Sequence, residues 1–397
     1  MGNRVLMSGF PPISTDQVDL SNWRTAPYNR WAFQHVRELV PSANISHDPK
    51  KLWELSHSPV DMSGLRVSLE GSSYASFLED TDTDGIVILR DGEIVHEHYA
   101  NGMTAHSPHI LMSVSKSILG IIAAILADQG LLTRQKLITD VIPELSGTAY
   151  DGSTVGNLLD MRVGIEFEEN YHAASGMIID YRKAHGWNPL GPSETPRDLR
   201  SFFTKLTGMD GSHNDRFHYV SPNTDILGWV LERVSGKRYA SLVAELLWIP
   251  MGAEDPAYIT VDRFGAPRCA GGFCSTVRDL ARLGQLMMQG GVREGRQILP
   301  EAWVQSIIGE GDSAAWDRGD FIELFPELSM HYRDQWYVIR SPGTVIFGFG
   351  VFGQHLFVDF ENKVVIAKLS SHSEPLDASK IHLTTNALLA IGQYLRR

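Results

Sequence analysis

The stretch Leu111-Met112-Ser113-Val114-Ser115-Lys116-Ser117-Ile118-Leu119-Gly120 places a Ser-x-x-Lys sequence at the start of a long apolar run. Positions three apart lie on the same face of a helix, so the hydroxyl of Ser113 and the amine of Lys116 can meet. Large apolar residues keep helical spacing through Val114, Ile118, Ile121, Ile122 and Ile125. Because alanine and leucine fill the positions between them, the pattern predicts a helix over 114–126 that is buried nearly all round.

This pairing can make a serine nucleophilic. A lysine that burial has dehydrated can lose its proton and then accept the proton of a neighbouring hydroxyl. Free backbone N–H groups at the start of a helix also favour negative charge near Ser113. The motif alone leaves two interpretations open, because about one or two such matches occur by chance in a chain of this length. Ser113 could equally cap the helix beside a lysine that reaches solvent, and Ser115 and Ser117 are competing nucleophiles.

Composition narrows the class of partner. The 397 residues are 43% hydrophobic and carry a formal net charge of −12, which argues against nucleic acid or an anionic membrane and favours a small molecule. No apolar segment is long enough for a signal peptide or a membrane span, so we expect a cytoplasmic protein. Cys269 and Cys274 are the two cysteines, and we expect a buried pair of thiols. The oligomeric state stays open, a homodimer included.

Sheet signals stand at both ends of the body, with helical signals between them. Residues 1–60 indicate an arm that packs on the body, 61–397, and carries one helix over 31–39. A mainly helical lobe is expected over about 133–268. The remaining predicted elements are helices over 154–161, 196–206, 224–234, 276–289, 300–308 and 381–395, and strands over 344–349, 355–359 and 364–369.

A β-hairpin is the clearest local signal near the N-terminal end of the body. Two apolar runs over 85–90 and 93–98 flank Asp91-Gly92, which favours a two-residue turn. Together with the C-terminal strands, the hairpin predicts one sheet built from distant parts of the chain, an α/β (α+β) architecture. The functional site is expected between this sheet and the helical lobe.

Two further segments carry groups suited to catalysis. Tyr219, in Phe217-His218-Tyr219-Val220-Ser221-Pro222-Asn223, directly precedes a predicted helix and can point into a cleft. Beside a charged lysine the pKa of its phenol is expected to fall, which would make it a proton shuttle. Taken alone, the segment is better explained by an edge tyrosine with a serine cap. Glycines alternate along Phe347-Gly348-Phe349-Gly350-Val351-Phe352-Gly353-Gln354, which predicts a ligand close to the backbone and an N–H for an oxyanion.

The order of these motifs resembles that of the Tyr-dependent serine β-lactamases, the penicillin-binding proteins and their esterase relatives. Within that superfamily the chain is most similar to the 6-aminohexanoate-dimer hydrolases, the nylon-oligomer amidases, from about residue 20 onward. The segments that carry this similarity are Asn29-Arg30-Trp31-Ala32-Phe33, 111–117, Glu169-Asn170-Tyr171, 219–225, Arg278-Asp279-Leu280-Ala281-Arg282 and Gly353-Gln354. The resemblance implies a β-lactamase/transpeptidase-like fold, an antiparallel sheet flanked by helices plus a mainly helical lobe. It also implies a serine hydrolase that cleaves a small linear amide or ester.

Carried over residue by residue, the resemblance assigns the main catalytic roles. Ser113 matches the nucleophile, Lys116 its base partner and Tyr219 a second proton shuttle. The backbone N–H of Val351, which follows Gly350, matches the group that completes the oxyanion hole with the N–H of Ser113. The implied intermediate is an acyl-enzyme on Ser113.

Other matched positions concern support and substrate binding. Ser221 takes the place of an asparagine or serine that contacts the lysine. Tyr171 matches a tyrosine that closes over the substrate and donates to the leaving amine. The substrate is expected among Tyr171, Trp187, Trp336 and Tyr337.

Two departures from the family pattern bear on the substrate. The third motif has Gly348-Phe349-Gly350 in place of Lys-Thr-Gly or His-x-Gly, so it lacks the cation that many relatives use for a β-lactam or peptide carboxylate. Arg182 and Ala270 stand where a small acidic or amide group would suit the ammonium end of a nylon dimer. The open alternatives are a carboxylesterase of short acyl esters, β-lactam hydrolysis, and a non-catalytic binding or sensor protein.

Three motifs suggest other chemistry but have simpler explanations. Asp80-Thr81-Asp82-Thr83-Asp84-Gly85 resembles the start of a calcium loop, but its twelfth position is Asp91 instead of Glu and a strand follows. His96 and His98 share one face of a strand, where a solvated edge is the simpler explanation. Glu166-Phe167-Glu168-Glu169-Asn170 is expected to be a polar loop beside the cleft. No metal and no cofactor are therefore predicted.

Overall fold

The computed structural model describes residues 5–67, 71–341 and 343–396. In these residues the strands are β1 Ser42–Ile45, β2 Thr83–Arg90, β3 Glu93–Tyr99, β4 His109–Ile110, β5 Ala257–Thr260, β6 Phe273–Ser275, β7 Val292–Arg293, β8 Arg296–Gln297, β9 Ser329–Arg333, β10 Trp336–Ser341, β11 Val345–Gly350, β12 Gln354–Asp359 and β13 Val364–Ser370. The α-helices are α1 Asn29–Ala32, α2 Tyr74–Asp80, α3 Val114–Asp128, α4 Ile138–Val141, α5 Val155–Leu159, α6 Met177–Ala184, α7 Leu199–Phe203, α8 Ser221–Ser235, α9 Tyr239–Val243, α10 Ile249–Met251, α11 Val277–Met288, α12 Glu301–Gly309, α13 Ser313–Asp317 and α14 Ala378–Leu395.

The main sheet joins distant parts of the chain. Its seven strands have the order β3-β2-β13-β12-β11-β10-β9, and every neighbouring pair is antiparallel. The predicted hairpin forms β2 and β3. Its turn residues Asp91 and Gly92 have φ of 50° and 86°, the conformation that an Asp-Gly turn supplies. The sequence prediction of one sheet built from both ends of the body is confirmed.

The sequence patterns do not predict β9, β10 or a second sheet of order β1-β5-β6-β4. The turn between β9 and β10 is Asp334-Gln335, with φ of 48° and 69°. Both residues adopt the backbone conformation that glycine usually supplies, so the turn carries no glycine signal. The strands of the second sheet are two to four residues long, too short for an alternating pattern to be recognised.

Both faces of the main sheet are covered, as β2 illustrates. Val87 and Leu89 belong to the core that lies between the sheet and helices α3 and α11. Ile86 and Ile88 belong to a second core on the opposite face, which α2 and α14 cover. All four side chains are fully buried. Strand β2 is therefore apolar at consecutive positions, as a strand covered on both sides must be.

Helix α3 packs between the sheet and α8. Every residue from Val114 to Leu126 is buried, which confirms the predicted burial all round. The packing is close enough that a Cβ on Gly120 would lie 2.3 Å from the carbonyl oxygen of Asp334. Met112, two residues before the helix, has φ of 45°, so the chain enters α3 through a sharp turn at Ser113. Although α3 is apolar, no helix in the described ranges is long and apolar enough to cross a membrane.

The N-terminal residues pack against the helical lobe. The predicted helix over 31–39 is split into α1 and a 3-10 turn, Val36–Glu38. Trp23 is fully buried, and its ring centroid lies 5.1 Å from that of Trp187. The indole nitrogen of Trp23 also donates to the carbonyl oxygen of Trp187 at 3.0 Å. This contact brings the N-terminal segment next to the functional site.

Candidate active site

Lys116 and Ser113 meet at the first turn of α3. The Nζ of Lys116 lies 2.9 Å from the Oγ of Ser113, 3.1 Å from the Oγ of Ser221 and 2.7 Å from the carbonyl oxygen of Ala270. Ser221 begins α8 and Ala270 precedes β6, so three separate segments surround the amine. The structure thus brings Ser113, Lys116 and Ser221 together, as the sequence predicted.

Burial shifts the protonation equilibrium of the Lys116 amine toward its neutral form. Its side chain is 1% exposed, and burial lowers its pKa from 10.5 to about 7. The carboxylate of Glu169 raises this pKa, and the charge of Arg268 lowers it. Near pH 7 a large fraction of Lys116 is therefore uncharged and able to accept a proton.

The other serines of the motif are engaged in hydrogen bonds to the backbone. The Ser115 hydroxyl donates to a backbone carbonyl at 2.6 Å and accepts from the first N–H of β6 at 3.1 Å. The Ser117 hydroxyl donates to a backbone carbonyl in the β9–β10 turn at 2.9 Å. Among the hydrogen bonds of the described residues, Ser113 is the member of this trio that contacts Lys116. The geometry favours Ser113 over its two competitors.

Tyr219 lies on the loop before α8, but its phenol differs from the expectation. Its ring centroid lies 4.6 Å from that of Phe321 and 4.8 Å from the Lys116 amine. Burial, and then the charge of Glu169, raise the pKa of Tyr219 well above its ordinary value, while a hydrogen bond with Ser113 opposes the shift. The expected fall in pKa is therefore wrong, because desolvation outweighs any effect of the lysine. The phenol stays protonated near pH 7 and can relay or donate a proton.

Glu169 belongs to this site, although the sequence analysis expected only a polar loop beside the cleft. Its carboxylate accepts hydrogen bonds from the N–H and the Oγ of Ser221, at 2.7 and 2.6 Å, and from the Tyr171 hydroxyl at 3.2 Å. Glu169 thereby orients the hydroxyl that contacts Lys116 and keeps Tyr171 close. Its partner Ser221 follows 52 positions later, so no local pattern could reveal the contact.

A buried ion pair supports Lys116 from the opposite side. Asp225 accepts hydrogen bonds from Arg268 at 2.6 Å and from the N–H of Ala270 at 2.8 Å. The carbonyl of Ala270 in turn accepts from Lys116. The role of Asp225 was not predicted from the sequence. Asp225 stands four residues after Ser221, which places both on one face of α8, and this spacing is the signal that could have found it.

Two backbone N–H groups beside the Ser113 hydroxyl are free. Those of Ser113 and Val351 have no acceptor within the described residues. Val351 follows Gly350, where a Cβ would lie 2.7 Å from the carbonyl oxygen of Leu111 and 3.0 Å from the nitrogen of Ser113. The glycine therefore allows β11 to approach the Ser113 loop. The two donors lie on adjoining segments.

Comparison with known proteins identifies the family. The beta-lactamase family matches residues 75–390. The chain belongs to the beta-lactamase family. It is 36% identical over 388 residues to the 6-aminohexanoate-dimer hydrolase of Paenarthrobacter ureafaciens, covering 97% of this chain and 96% of that relative.

Solved structures agree with this assignment. A Bacillus anthracis protein, assigned provisionally as a 6-aminohexanoate-dimer hydrolase, superposes with a TM-score of 0.87 at 26% identity, over 96% of this chain and 98% of its own. A family VIII carboxylesterase superposes with a TM-score of 0.58 at 16% identity, over 80% and 95%, and so shares the fold. The fold expected from the motifs is confirmed. As a member of the beta-lactamase family, the chain is a serine hydrolase of a group that contains amidases and esterases.

Beside this beta-lactamase-family site lies a cavity of about 360 Å³. Tyr171, Arg182 and Trp187, which the sequence analysis expected near the substrate, line it together with Val351. Arg182 contributes a guanidinium that donates to the carbonyl oxygen of Tyr171 at 3.1 Å. The cavity also reaches Met112, which precedes Ser113.

The other three residues expected to bind substrate do not line this cavity. Consecutive residues of a strand face opposite sides of a sheet, so Trp336 and Tyr337 on β10 cannot both reach the cleft. Trp336 is fully buried in the core around α3, and the structure does not bring it to the site. Tyr337 is 2% exposed and lies in the same apolar cluster as Tyr219, where it opposes the rise that burial causes in the pKa of the Tyr219 phenol. Ala270 acts through its backbone, as a support for Lys116.

The calcium-loop-like segment and the two cysteines have structural explanations. Within the described ranges, no group of three or more His, Cys, Asp or Glu side chains is arranged to hold a metal. In the calcium-loop-like segment, Asp82 pairs with Lys380 at 2.6 Å and Asp84 contacts His109 at 3.3 Å. The two cysteines are buried free thiols, as predicted.

Proposed function

We propose that the chain hydrolyses a small linear amide or ester through an acyl-enzyme on Ser113. The proposal rests on the 2.9 Å contact between the Ser113 Oγ and a lysine amine whose pKa burial lowers to about 7. Such an amine is a base of suitable strength to activate a serine hydroxyl near neutral pH. The relative that is 36% identical is a 6-aminohexanoate-dimer hydrolase, which favours a linear amide.

Acylation begins when Lys116 takes the Oγ proton of Ser113 and the Oγ bonds to the carbonyl carbon of the substrate. The N–H groups of Ser113 and Val351 stabilise the negative oxygen that forms. The proton then passes from Lys116 through the Tyr219 hydroxyl to the leaving nitrogen or oxygen, and the bond to the leaving group breaks. Tyr219 suits this step because its phenol keeps its proton near pH 7.

Water completes the reaction. Lys116 accepts a proton from water, relayed through the Tyr219 hydroxyl, while the water oxygen bonds to the acyl carbon. The ester bond to Ser113 then breaks, and the Oγ regains its proton. The products are a carboxylic acid and an amine or alcohol. Glu169 and Asp225 act as positioning residues, because they hold Ser221 and Ala270 against the Lys116 amine.

Replacing the nucleophile tests this proposal. Turnover by Ser113→Ala should fall at least ~10³-fold while the fold is kept. A fluorophosphonate that labels the wild type, followed by intact-protein mass spectrometry, should not label this variant. Ser117→Ala is the matched control, because its hydroxyl bonds to the backbone away from the Lys116 amine, and it should keep both properties. Turnover or labelling retained by Ser113→Ala would remove Ser113 from the mechanism.

The proton path is tested by Tyr219→Phe on matched amides and esters with one acyl chain. The two side chains fill the same volume, but the phenyl ring cannot donate a proton. Because esters need that proton less, the loss should be about 10²- to 10⁴-fold on amides and markedly smaller on activated esters. Equal losses would mean that Tyr219 mainly activates Ser113. Wild-type turnover of the esters alone would instead support the carboxylesterase alternative.

A further inference from the structure

Three arginines converge on the cavity beside Ser113. Arg24 from the N-terminal segment, Arg182 from α6 and Arg268 from the loop before β6 all line it. Met112 and Val351, which flank the free N–H groups, line it as well. A positively charged wall therefore faces the space next to the reacting carbonyl.

Two of these arginines have no carboxylate in direct contact within the described residues. Arg268 is paired with Asp225 at 2.6 Å, whereas no described carboxylate lies within 4.0 Å of the guanidinium of Arg24 or Arg182. Their hydrogen bonds go to neutral groups, the amide of Asn188 for Arg24 and a backbone carbonyl for Arg182. The buried Nε of Arg24 has no partner at all within the described residues.

The two carboxylates that line the same cavity form no ion pair with Arg24 or Arg182 among the described residues. The charge of Glu169 favours the charged form of Arg182, but its oxygens accept hydrogen bonds from Ser221 and Tyr171. Glu374 is exposed, and its oxygen lies 3.8 Å from His172. The guanidinium groups of Arg24 and Arg182 therefore have no carboxylate partner and can bind an anion.

A buried histidine adds further polar atoms without partners. His185 lines the cavity and is 1% exposed, yet neither of its ring nitrogens has a hydrogen-bond partner in the described residues. Burial, with the charges of Arg268, Arg24 and Arg182, lowers its pKa far below the ordinary value, so the ring is neutral. Buried polar atoms without partners are rare in native proteins and call for a ligand or ordered water.

The arginines also repel one another. Burial, and then the charges of Arg182 and Arg268, lower the pKa of Arg24 to about 9. The guanidinium lies 5.5 and 5.8 Å from the ring centroids of Trp23 and Trp187, so aromatic faces stand beside it. An anion placed between Arg24 and Arg182 would relieve the repulsion, and guanidinium groups bind carboxylates through paired hydrogen bonds.

The position of Tyr219 shows which half of a substrate would occupy this cavity. The leaving group must lie next to the Tyr219 hydroxyl, which delivers its proton. Tyr219 does not line the cavity of Arg24, Arg182 and Arg268, the arginine cavity. With Phe321 it lines a separate cavity of about 450 Å³. Glu169 lines both cavities and so lies between them. The acyl half of the substrate would therefore extend into the arginine cavity.

We infer that the acyl half of the substrate ends in a carboxylate bound by Arg24 and Arg182, so that the substrate is a monoamide or monoester of a dicarboxylic acid. This inference rests on the proposed function. Hydrolysis breaks the bond between the acyl carbon and the leaving group, adds water across it, and leaves the bound carboxylate unchanged. The products are a dicarboxylate and an amine or alcohol.

The test compares three 4-nitrophenyl esters that share a six-carbon acyl chain. One ends in a carboxylate, one in the methyl ester of that carboxylate, and one in an ammonium group. Their leaving group is identical, so differences in kcat/KM at fixed ionic strength, after subtraction of the uncatalysed rate, report the acyl terminus. The wild type should prefer the carboxylate over the methyl ester by about 10- to 100-fold, the usual worth of a charged hydrogen bond. It should disfavour the ammonium ester further.

Variants then assign this preference to the arginines. Arg24→Gln and Arg182→Gln should each reduce the ratio between carboxylate and methyl ester at least about fivefold, whereas Arg182→Lys should keep most of it. Because each ratio is measured within one variant, partial loss of folded protein cancels. Arg197→Gln is the control, since Arg197 is an exposed arginine of the same lobe that does not line the cavity. It should keep the wild-type ratio.

Two results would overturn the inference. One is a wild-type ratio near one, or a preference for the ammonium ester. The other is a carboxylate preference that survives in the double variant Arg24→Gln, Arg182→Gln. In either case turnover that is lost in Ser113→Ala leaves the proposed function standing. Failure to hydrolyse any of the three esters through Ser113 would instead contradict the proposed function itself.

Discussion

Lys116 can accept a proton only in its neutral form, so its pKa sets the pH dependence of the reaction. Burial lowers this pKa from 10.5 to about 7. Below pH 7 the amine is protonated, and kcat/KM should fall about tenfold per pH unit; above pH 7 it should reach a plateau. Initial rates on one ester from pH 5 to 9 measure this rise of kcat/KM with pH, the acidic limb of the pH profile. A limb near the ordinary lysine value would contradict the role of burial.

The charge of Glu169 raises the pKa of Lys116 and so opposes the effect of burial. Removing this charge should therefore shift the pH dependence of kcat/KM. Glu169→Gln keeps an oxygen that can accept from Ser221 but removes the charge that raises the pKa of Lys116. The limb should therefore move to lower pH. Glu168→Gln removes the neighbouring exposed charge and should leave the limb in place. A shift to higher pH in Glu169→Gln would show that Glu169 does not stabilise the charged amine.

Among single residues, what could be predicted from sequence follows chemical type and local spacing. Ser113 and Lys116 are three apart on one helix, so helical geometry alone brings them together. Glu169 and Asp225 reach their backbone partners across 52 and 45 positions, and only the fold supplies those contacts. The pKa of Tyr219 was predicted in the wrong direction because burial of a loop residue cannot be deduced from its neighbours in sequence.

Strand β11 illustrates how an element positions the site. Its last residue, Gly350, lies so close to the Ser113 loop that an added Cβ would be 2.7 Å from the carbonyl oxygen of Leu111. Gly350→Ala must therefore push β11 away and separate the N–H of Val351 from that of Ser113. We expect kcat to fall at least about tenfold and stability to fall by about 1–3 kcal/mol. Turnover of a 4-nitrophenyl ester and urea unfolding measure the two effects.

The control for this prediction is another glycine. A Cβ on Gly309, at the end of α12, would meet nothing within 4 Å. Gly309→Ala should keep the wild-type kcat and should not lower stability, because alanine reduces the freedom of the unfolded chain. Wild-type kcat in Gly350→Ala would mean that the approach of β11 to the Ser113 loop does not matter for turnover.

Whole elements were predictable where their pattern was long or their turn was typical. The buried helix α3 and the hairpin of β2 and β3 carry strong local signals and were predicted within a few residues. Strands β9 and β10 were missed because Asp334 and Gln335 adopt positive φ without glycine. Trp336 was expected at the site because it is a large aromatic residue. Side chains alternate between the two faces of β10, and that of Trp336 faces the core.

At the scale of the molecule, the candidate site joins segments that are distant in sequence. Arg24 comes from the N-terminal segment and Ser113 precedes α3. Ser221 is the first residue of α8, and Val351 follows β11. The order of the motifs predicted which segments meet, since the family resemblance covers nearly the whole chain. It did not predict that the N-terminal segment contributes to a cavity wall, because Trp23 and Arg24 carry no motif.

The contact between Trp23 and Trp187 tests that contribution. Trp23 is fully buried and lines the arginine cavity, with a hydrogen bond and an edge-to-face ring contact to Trp187. Trp23→Ala should reduce the free energy of unfolding by about 3–5 kcal/mol. It should also raise KM more than it lowers kcat, because the lost wall lies away from Ser113 and Lys116. Urea unfolding and steady-state kinetics on one ester measure both effects.

Trp31→Ala separates the cavity contact from a general weakening of the N-terminal segment. Trp31 is only half-buried, stacks on His35 with ring centroids 4.1 Å apart, and does not line the arginine cavity. Its loss should cost about 1 kcal/mol and leave KM unchanged. If the two variants raised KM equally, the effect would follow from loosening of the whole segment, and the N-terminal residues would be a support for the fold and not a wall of the site.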